Sequence, residues 1–245
     1  GIQYHQQNNK WQTFEEFEGP QKHNLLELQD SISELLGNFE MEAGQYNQLR
    51  FMLDAPEKGH GSPTSPGCYL EYEGGNTETL FVPSGSQSGF KATGAFIVPI
   101  NGTVGLTADF DVRKSVVETG KTDQYILKPT IRLIPTNEAG AIAGSLTNMP
   151  EDSSSIIIYA YEDDSYSDTE AGEPTAEENR FPNAVTSDMA CKKLKYRLSY
   201  LAPMIYDLVV TKSRNGAFVE VLGIIEDVEV TSHKTTAQSI DFSSL

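Results

Sequence analysis

Residues 68–82 have the sequence CYLEYEGGNTETLFV, and the argument for the fold class starts there. Two runs, Cys68–Tyr72 and Thr79–Val82, are rich in the aromatic and branched residues that favour strands. Gly74-Gly75-Asn76 stands between them and tolerates the positive backbone angles that a tight hairpin turn requires. The stretch therefore predicts an antiparallel β-hairpin.

The same rhythm of short strands and turns extends in both directions along the chain. Turn signals recur about every 8–12 residues, which is typical of β-sandwiches. Further strands are predicted at residues 11–14, 45–53, 90–93, 96–99, 104–110, 125–134, 140–146, 156–161, 195–200, 206–212, 218–225, 228–231 and 239–242. A short helix is predicted around Ser31–Leu36, where apolar residues recur at nearly helical spacing before Gly37.

A polar segment without periodicity, Thr136–Gly140, divides the strands into two sets. The length of 245 residues suits two domains of ordinary size. The sequence therefore predicts an all-β chain of two Ig-like or transthyretin-like β-sandwich domains, residues 1–135 and 140–245, with at most one short helix. A long acidic loop is predicted between Glu162 and Arg180.

The charge of the chain excludes two classes of partner. It has 35 acidic and 18 basic residues, for a net charge of −17. Such a surface repels phosphate backbones and anionic lipids, so neither nucleic acid nor a membrane surface is expected as a partner. The acidity either suits a saline or calcium-rich exterior or is simply that of a solvated surface.

Targeting and membrane signals are not visible in the sequence. No run approaches the roughly 20 apolar residues that span a bilayer, so no transmembrane segment is expected. Residues 1–5 start directly in an extended-looking segment, which is typical of a mature, trimmed or truncated chain. The sequence alone does not decide the compartment.

Two fragments of nucleotide-binding or catalytic motifs are incomplete. Gly120-Lys121-Thr122 ends like a phosphate-binding loop, but Ser115 replaces its first glycine and a strand follows in place of a helix. Residues 85–89 resemble a nucleophile elbow, but Gln87 holds the nucleophile position. The four histidines have neither a His nor a Cys at metal-ligand spacing. The sequence therefore predicts no enzymatic activity.

The richest acidic tract runs from Glu151 to Glu178 and contains neither lysine nor arginine. Calcium takes roughly six to eight oxygen ligands, which carboxylates supply well. The tract is interpreted first as a solvated loop, because the spacing of an EF-hand loop is absent. The alternative interpretation is a calcium site whose candidate ligands are Glu162, Asp163, Asp164, Asp168 and Glu170. A second pair, Asp109 and Asp111, is open to three interpretations: an acid–base pair, a calcium site or a polar strand face.

Cys68 and Cys191 are the two cysteines, and they fall in different halves of the chain. In an oxidising exterior they are candidates for a disulfide, which would restrict the unfolded chain by about 4–5 kcal/mol in the entropic model. Two free thiols, or partners on other chains, are equally compatible with the sequence.

The first half carries a specific series of motifs. They are residues 24–28 (NLLEL), 44–50 (GQYNQLR), 82–91 (VPSGSQSGFK), 106–111 (LTADFD), 114–117 (KSVV) and 125–132 (YILKPTIR). As a series they resemble the bacterial and archaeal family called domain of unknown function 4382, over roughly residues 1–135. The resemblance implies no catalytic residues. It also implies that Ile2–His5 is the end of the family's second strand, with the first strand and any lipid-attachment cysteine absent.

The second half carries a looser set of motifs. They are residues 140–144 (GAIAG), 157–161 (IIYAY), 196–203 (YRLSYLAP) and 206–210 (YDLVV). They resemble the carboxypeptidase regulatory-like domain, a transthyretin-type sandwich, although Ile205 replaces the glycine usual before the tyrosine. Such domains are typically non-catalytic accessories of secreted or lipid-anchored proteins.

These features together predict a non-enzymatic structural or adhesive protein of the bacterial or archaeal cell envelope or exterior. A sandwich that lacks a strand exposes backbone groups that a strand from another chain can fill. The expected partners are therefore copies of the chain or other surface proteins in an extracellular fibre. Residues 235–245 are either the donor strand or the last strand of their own domain.

The alternative function is a calcium-dependent polysaccharide-binding surface module, and calcium is its only expected cofactor. In this reading Tyr159, Tyr161 and Tyr166 offer stacking faces for sugars. The competing interpretation of Tyr159 and Tyr161 is that they are core residues, because alternate residues of a strand face inward.

Overall fold

The computed structural model describes residues 1–6, 10–29, 32–54, 67–83, 88–118, 125–150, 154–175, 179–190 and 194–245, and these are organised mainly as β-strands. The helical elements with described bounds are single turns: α1 (Val112–Ser115) and the 3₁₀ turns Leu25–Glu27 and Asp168–Ala171. The predicted all-β class is confirmed. The strands are β1 (Ile2–Gln6), β2 (Lys10–Thr13), β3 (Gly44–Phe51), β4 (Tyr69–Glu71), β5 (Thr77–Phe81), β6 (Phe90–Val98), β7 (Leu106–Phe110), β8 (Val116–Glu118), β9 (Tyr125–Leu127), β10 (Ile131–Pro135), β11 (Gly140–Thr147), β12 (Ser155–Glu162), β13 (Thr186–Ala190), β14 (Lys195–Leu201), β15 (Ile205–Arg214), β16 (Ala217–Glu229), β17 (Thr235–Ala237) and β18 (Ile240–Asp241).

The chain divides into two compact units between Pro135 and Thr136. Unit 1 consists of Gly1–Pro135 together with Thr175–Asn179, and unit 2 consists of Thr136–Pro174 and Arg180–Leu245. The sequence did not predict that Thr175–Asn179 groups with the first unit. That residues 1–135 and 140–245 are domains able to fold independently stays a prediction.

Unit 1 is a sandwich of two sheets. Its six-stranded sheet has the order β2-β1-β3-β6-β10-β7, and its four-stranded sheet has the order β4-β5-β9-β8. Both sheets contribute to one core, in which Tyr46, Phe90 and Phe96 are buried beside Leu80 and Leu127. Burial of this aromatic and aliphatic surface is the main force that holds the sheets together.

The hairpin predicted at residues 68–82 is present. Strand β4 pairs antiparallel with β5, with Tyr69 opposite Thr79. Gly74 and Gly75 adopt φ angles of 105° and 83°, a region that strongly favours glycine. The turn residues therefore set the register of the hairpin, as the sequence indicated.

Unit 2 is also a sandwich. One sheet has the order β14-β11-β17 with β18 beside β11, and the other has the order β13-β12-β15-β16. Alternate residues of β12 and β15, including Ile158 and Leu208, are buried against Ile142 and Leu198 of the first sheet. Strands β17 and β18 both pair parallel with β11, so residues 235–241 complete the sheet of their own unit. The alternative reading, in which they form a donor strand for another chain, is wrong.

The helix predicted around Ser31–Leu36 is wrong for its described residues, 32–36, which are not helical. Ile32 and Leu35 are 60% and 75% exposed while Leu36 packs against the core, so the apolar residues of the pattern do not share one buried helical face. The helical turn in this segment is Leu25–Glu27 instead, and it begins where Asn24 accepts a hydrogen bond from the Leu26 amide.

The strand predicted at residues 125–134 is two strands in two different sheets. Strand β9 pairs with β5 and β8, whereas β10 pairs with β6 and β7. Pro129 lies between them, and proline cannot donate a ladder hydrogen bond. The break at this residue lets the chain cross from one sheet of unit 1 to the other.

The acidic segment after β12 covers the outer face of the sheet that contains β12, β15 and β16. Phe181 and Tyr161 are buried there with Val209, and Tyr159, Tyr166 and Phe218 pack around them. The ring centroids of Tyr159 and Phe181 are 4.5 Å apart, and those of Phe181 and Phe218 are 5.5 Å apart. The segment is therefore anchored by a second apolar cluster and is not simply a solvated loop.

The N-terminal strand has neighbours on both sides. Strand β1 pairs antiparallel with β2 and with β3. The open slot that strand complementation requires beside this strand is therefore filled by β2. The edges of the six-stranded sheet are β2 and β7. Within the described ranges, no helix has the length and apolar character needed to span a membrane.

Candidate functional site

Three carboxylates of unit 2 meet at one end of the β12–β15 pair. Asp163 and Asp164 form the turn that follows β12, and Asp207 lies near the start of β15. Antiparallel pairing places Tyr161 opposite Asp207 and so brings the turn beside this aspartate. One oxygen from each of the three carboxylates lies within 4.8 Å of the others.

Asp207 is the buried member of this carboxylate cluster, at 6% exposure. Its Oδ2 accepts a hydrogen bond of 3.0 Å from the Asp164 amide, and its Oδ1 accepts one of 3.2 Å from the Asp227 amide. Asp164 and Asp227 both have φ angles near 60°, a left-handed conformation that aspartate tolerates. The turn after β12 and the irregular pairing in β16 thus aim backbone donors at a charge that would otherwise be costly to bury.

The Asp163 carboxyl lies close to the negative charges of three other aspartates. Desolvation raises the pKa of its carboxyl above the ordinary value, and the charges of Asp164, Asp207 and Asp227 raise it further. The cluster is therefore a region of mutual repulsion that a bound proton or cation would relieve.

The structure brings together two of the five predicted calcium ligands, Asp163 and Asp164. Glu162 is exposed at the end of β12, and Asp168 opens the 3₁₀ turn. Glu170 faces a different set of groups, since it accepts hydrogen bonds from the Tyr161 hydroxyl and from the amide and side chain of Asn183.

Asp207 was missed by sequence reasoning. The available signal was a charged residue inside the apolar run of residues 206–210, whose neighbours Tyr206 and Leu208 are buried. A charge in such a strand needs specific partners, which the amides of Asp164 and Asp227 supply.

The cluster has the chemistry of a hard-cation site. Three carboxylates offer six oxygens, and Ca²⁺ takes roughly six to eight oxygen ligands. Two of those oxygens already accept backbone hydrogen bonds. A calcium ion would therefore need water or carbonyl oxygens to complete its shell.

The tyrosines proposed as sugar platforms are committed to packing. Tyr161 is fully buried, and burial together with its bond to Glu170 raises the pKa of its hydroxyl. Tyr159 packs against Phe181 with tilted rings, and the rings of Tyr161 and Tyr166 form a T-shaped pair whose centroids are 5.1 Å apart. The core interpretation is correct for Tyr161, which cannot stack on a sugar.

Asp109 and Asp111 have separate structural roles in unit 1. Asp109 forms an ion pair with Arg132. Asp111 caps α1, because its Oδ1 accepts a hydrogen bond from the Lys114 amide. Burial raises the pKa of Asp111. The hydrogen bond from the Lys114 amide and the charges of Lys114 and Arg113 lower this pKa, but only in part. Neither carboxylate is positioned as half of an acid–base pair.

Several sequence features fall outside the described residues. They include Gly120-Lys121-Thr122, Gln87, His60 and Cys191. Cys68 is half-buried, and burial, reinforced by Asp54, raises the pKa of its thiol. The predicted Cys68–Cys191 disulfide therefore stays a prediction.

Comparisons with known proteins bear mainly on the first half of the chain. Proteins with curated descriptions include no detectable match. Among solved structures, a crystal structure of a minor pilin from the Gram-positive pathogen Streptococcus agalactiae is similar at 12% sequence identity. That similarity covers 64% of this chain and 69% of that chain, with a TM-score of 0.24.

A family model described as a domain of unknown function (DUF4382) matches residues 1–129. This confirms the resemblance inferred for the first half, whereas the carboxypeptidase regulatory-like assignment of the second half stays a prediction. Because the match covers more than half of the 245 residues, the chain belongs to the DUF4382 family.

Proposed function

We propose that the chain is a non-enzymatic structural or adhesive protein of the bacterial or archaeal cell exterior. The observation that carries the proposal is the use of its buried polar side chains. Of the four buried polar residues in the described part of the chain, Ser115, Thr211 and Asp207 bond to backbone groups, and the fourth is Ser213. Catalytic dyads instead bond side chain to side chain beside a substrate pocket.

Assembly is the finer part of the proposal, and strand β16 supports it. This strand has 13 residues and forms one edge of its sheet, pairing with β15 alone. Val219 and Ile224 on this strand are 45% and 41% exposed. A long edge strand with exposed apolar side chains is a template for pairing with another chain. Copies of the chain, or other surface proteins, would associate along β16.

Charge substitutions on β16 test the assembly. Val219→Lys and Ile224→Lys place cations on the edge strand, which hinders strand pairing. Sedimentation velocity over a concentration series should show assemblies of the unaltered chain and monomers of both variants. Leu26→Lys is the matched control, because Leu26 is 64% exposed and lies in unit 1. A chain that stays monomeric at every concentration would contradict the assembly.

The broader proposal has its own test. Antibodies against the chain should label intact cells of the source organism, and protease added outside the cells should remove the label. Purified protein should leave a panel of glycans, peptides and phosphate esters unchanged. Turnover of any of these substrates would contradict the non-enzymatic role.

A second candidate, calcium binding, is favoured by the convergence of Asp163, Asp164 and Asp207. Titration calorimetry with CaCl₂ should give heat for the unaltered chain and less heat for Asp163→Asn. Glu138→Gln removes one negative charge from an exposed turn and serves as the control. Absence of both heat and a melting shift with calcium would rule the candidate out.

A further inference from the structure

The outer face of the six-stranded sheet of unit 1 carries two adjacent basic side chains, although the chain as a whole is acidic. In β6, Phe90 and Ala92 are buried in the core, so Lys91 between them points outward. The same alternation places Arg50 outward beside the buried Leu49. Cross-strand pairing sets Arg50 directly opposite Lys91.

Arg50 and Lys91 have no carboxylate partner among the described residues. Three other basic residues do form ion pairs: Arg132 with Asp109, Arg180 with Glu173 and Lys212 with Glu220. Like charges directly opposite on a sheet face destabilise it. Two cations that face each other without a carboxylate partner in the described part of the chain are therefore a feature that an anionic ligand would explain.

An aromatic group lies beside the two cations. The Arg50 guanidinium carbon is 3.9 Å from the centroid of the Trp11 ring, and Trp11 also contacts His5, with ring centroids 5.1 Å apart. Arg50 Nε is buried and has no hydrogen-bond partner among the described residues. The Trp11 contact therefore holds the guanidinium in place, and because Nε is buried a ligand would have to bond to the terminal nitrogens.

Polar groups surround this cluster on the same face. Gln3 lies opposite Arg50 on one side and Thr13 on the other, and its side-chain amide donates to the Thr13 hydroxyl at 3.2 Å. The face thus combines an aromatic ring, two cations, an amide and a hydroxyl on the flat surface of a sheet.

We propose that this face binds an acidic polysaccharide that carries uronic-acid carboxylates. Carboxylates match the guanidinium fork of Arg50, Lys91 adds a second charge, and the sugar packs against Trp11. The support for this ligand is local charge complementarity between carboxylates and these two cations, which stand out from a chain whose net charge is −17. The inference rests on the adhesive role proposed above, to which it assigns a ligand class and a surface.

Oligogalacturonate is the probe, and neutral dextran is its uncharged control. We expect oligogalacturonate to bind and dextran not to bind. Arg50→Gln and Lys91→Gln should each weaken binding about tenfold or more, because each removes a charge-assisted contact. Trp11→Phe should weaken it less, since a smaller ring remains. Binding should fall as salt is added.

Lys195→Gln is the matched control, since Lys195 is exposed and lies in β14 of unit 2. It removes the same charge and should leave binding unchanged. If Lys195→Gln and Arg50→Gln weaken oligogalacturonate binding equally, the loss is due to net charge alone and the proposal is overturned. The absence of oligogalacturonate binding to the unaltered chain would also overturn it. Self-association abolished by Arg50→Gln would assign the face to a second copy instead. If glycan binding fails while surface labelling persists and turnover is absent, this inference fails and the proposed function stands.

Discussion

Glu170 and Asp163 belong to the same acidic segment but lie in opposite surroundings. Glu170 accepts three hydrogen bonds, from Tyr161 and Asn183, whereas Asp163 faces three other aspartates. The sequence indicated an acidic cluster and identified two of its members. It could not show that Glu170 is hydrogen-bonded while Asp163 faces other carboxylates. That difference depends on hydrogen-bond donors that are remote in sequence.

The substitution Asp163→Asn should raise the melting temperature at pH 7 in the absence of calcium. The pKa of Asp163 is raised in the folded state, so its ionisation at neutral pH opposes folding. As pH falls through the raised pKa toward the ordinary value near 3.8, the unaltered chain gains stability and the difference should disappear. Thermal melts from pH 3 to pH 7 measure this, with Glu138→Gln as control. A constant difference over the whole range would contradict the electrostatic cause.

Glu170→Ala should destabilise unit 2 by about 2 kcal/mol, since it leaves the buried Tyr161 hydroxyl without its acceptor. Glu173→Ala is the matched control. The Glu173 side chain is 94% exposed, and surface ion pairs contribute about 0–1 kcal/mol. Urea unfolding followed by circular dichroism compares the two variants. Equal losses would mean that the Glu170 network is not a stabilising one.

Helix α1 shows how a single element depends on residues that are remote in sequence. The side-chain amide of Asn179 donates to the carbonyls of Arg113 and Val116, at 2.7 Å and 3.0 Å. Carbonyls at the end of a helix have no partner within it, so an outside donor satisfies them. A local pattern predicts the hairpin of β4 and β5, but it carries no information on a contact of this kind.

Asn179→Ala should lower the stability of unit 1 by about 1–3 kcal/mol, because it removes this donor from the partly buried helix end. Trp11 is the only tryptophan and lies in unit 1, so its fluorescence reports the unfolding of that unit. Asn47→Ala, at an exposed position of β3, should change stability by less than about 0.5 kcal/mol. Indistinguishable unfolding curves for the two variants would exclude the capping role.

Most of the longer strands in the described residues were predictable, because alternation and turn residues are local signals. Strands β8 and β13 were not predicted. The predictions that failed depended on tertiary partners. Residues 32–36 were predicted as helix from leucine and isoleucine spacing, and β9 and β10 were merged because sheet membership is not a local property. The segment between Glu162 and Arg180 was interpreted as a solvated loop from its acidic composition. That composition gave no sign that Tyr166 within it, and Phe181 directly after it, pack in an apolar cluster.

A fragment of residues 1–135 should be less stable than unit 1 within the whole chain. It lacks Thr175–Asn179, which belongs to unit 1, and with it the Asn179 donor. Trp11 fluorescence during urea unfolding measures both midpoints. The fragment should match whole-chain Asn179→Ala more closely than the unaltered chain. A fragment as stable as unit 1 in the whole chain would show that Thr175–Asn179 is dispensable.

The parallel pairing of β17 and β18 with β11 has a consequence for synthesis. Ser145 and Ser239 are hydrogen-bonded neighbours although they lie 94 positions apart. On the ribosome, unit 2 cannot close until residues 235–241 have emerged, and unit 1 is completed only when Asn179 has emerged. Domains usually finish folding one after another during translation. Here the segments of the two units emerge in an interleaved order, so β11 and β12 wait as unpaired nascent strands until the last segment of the first unit has emerged.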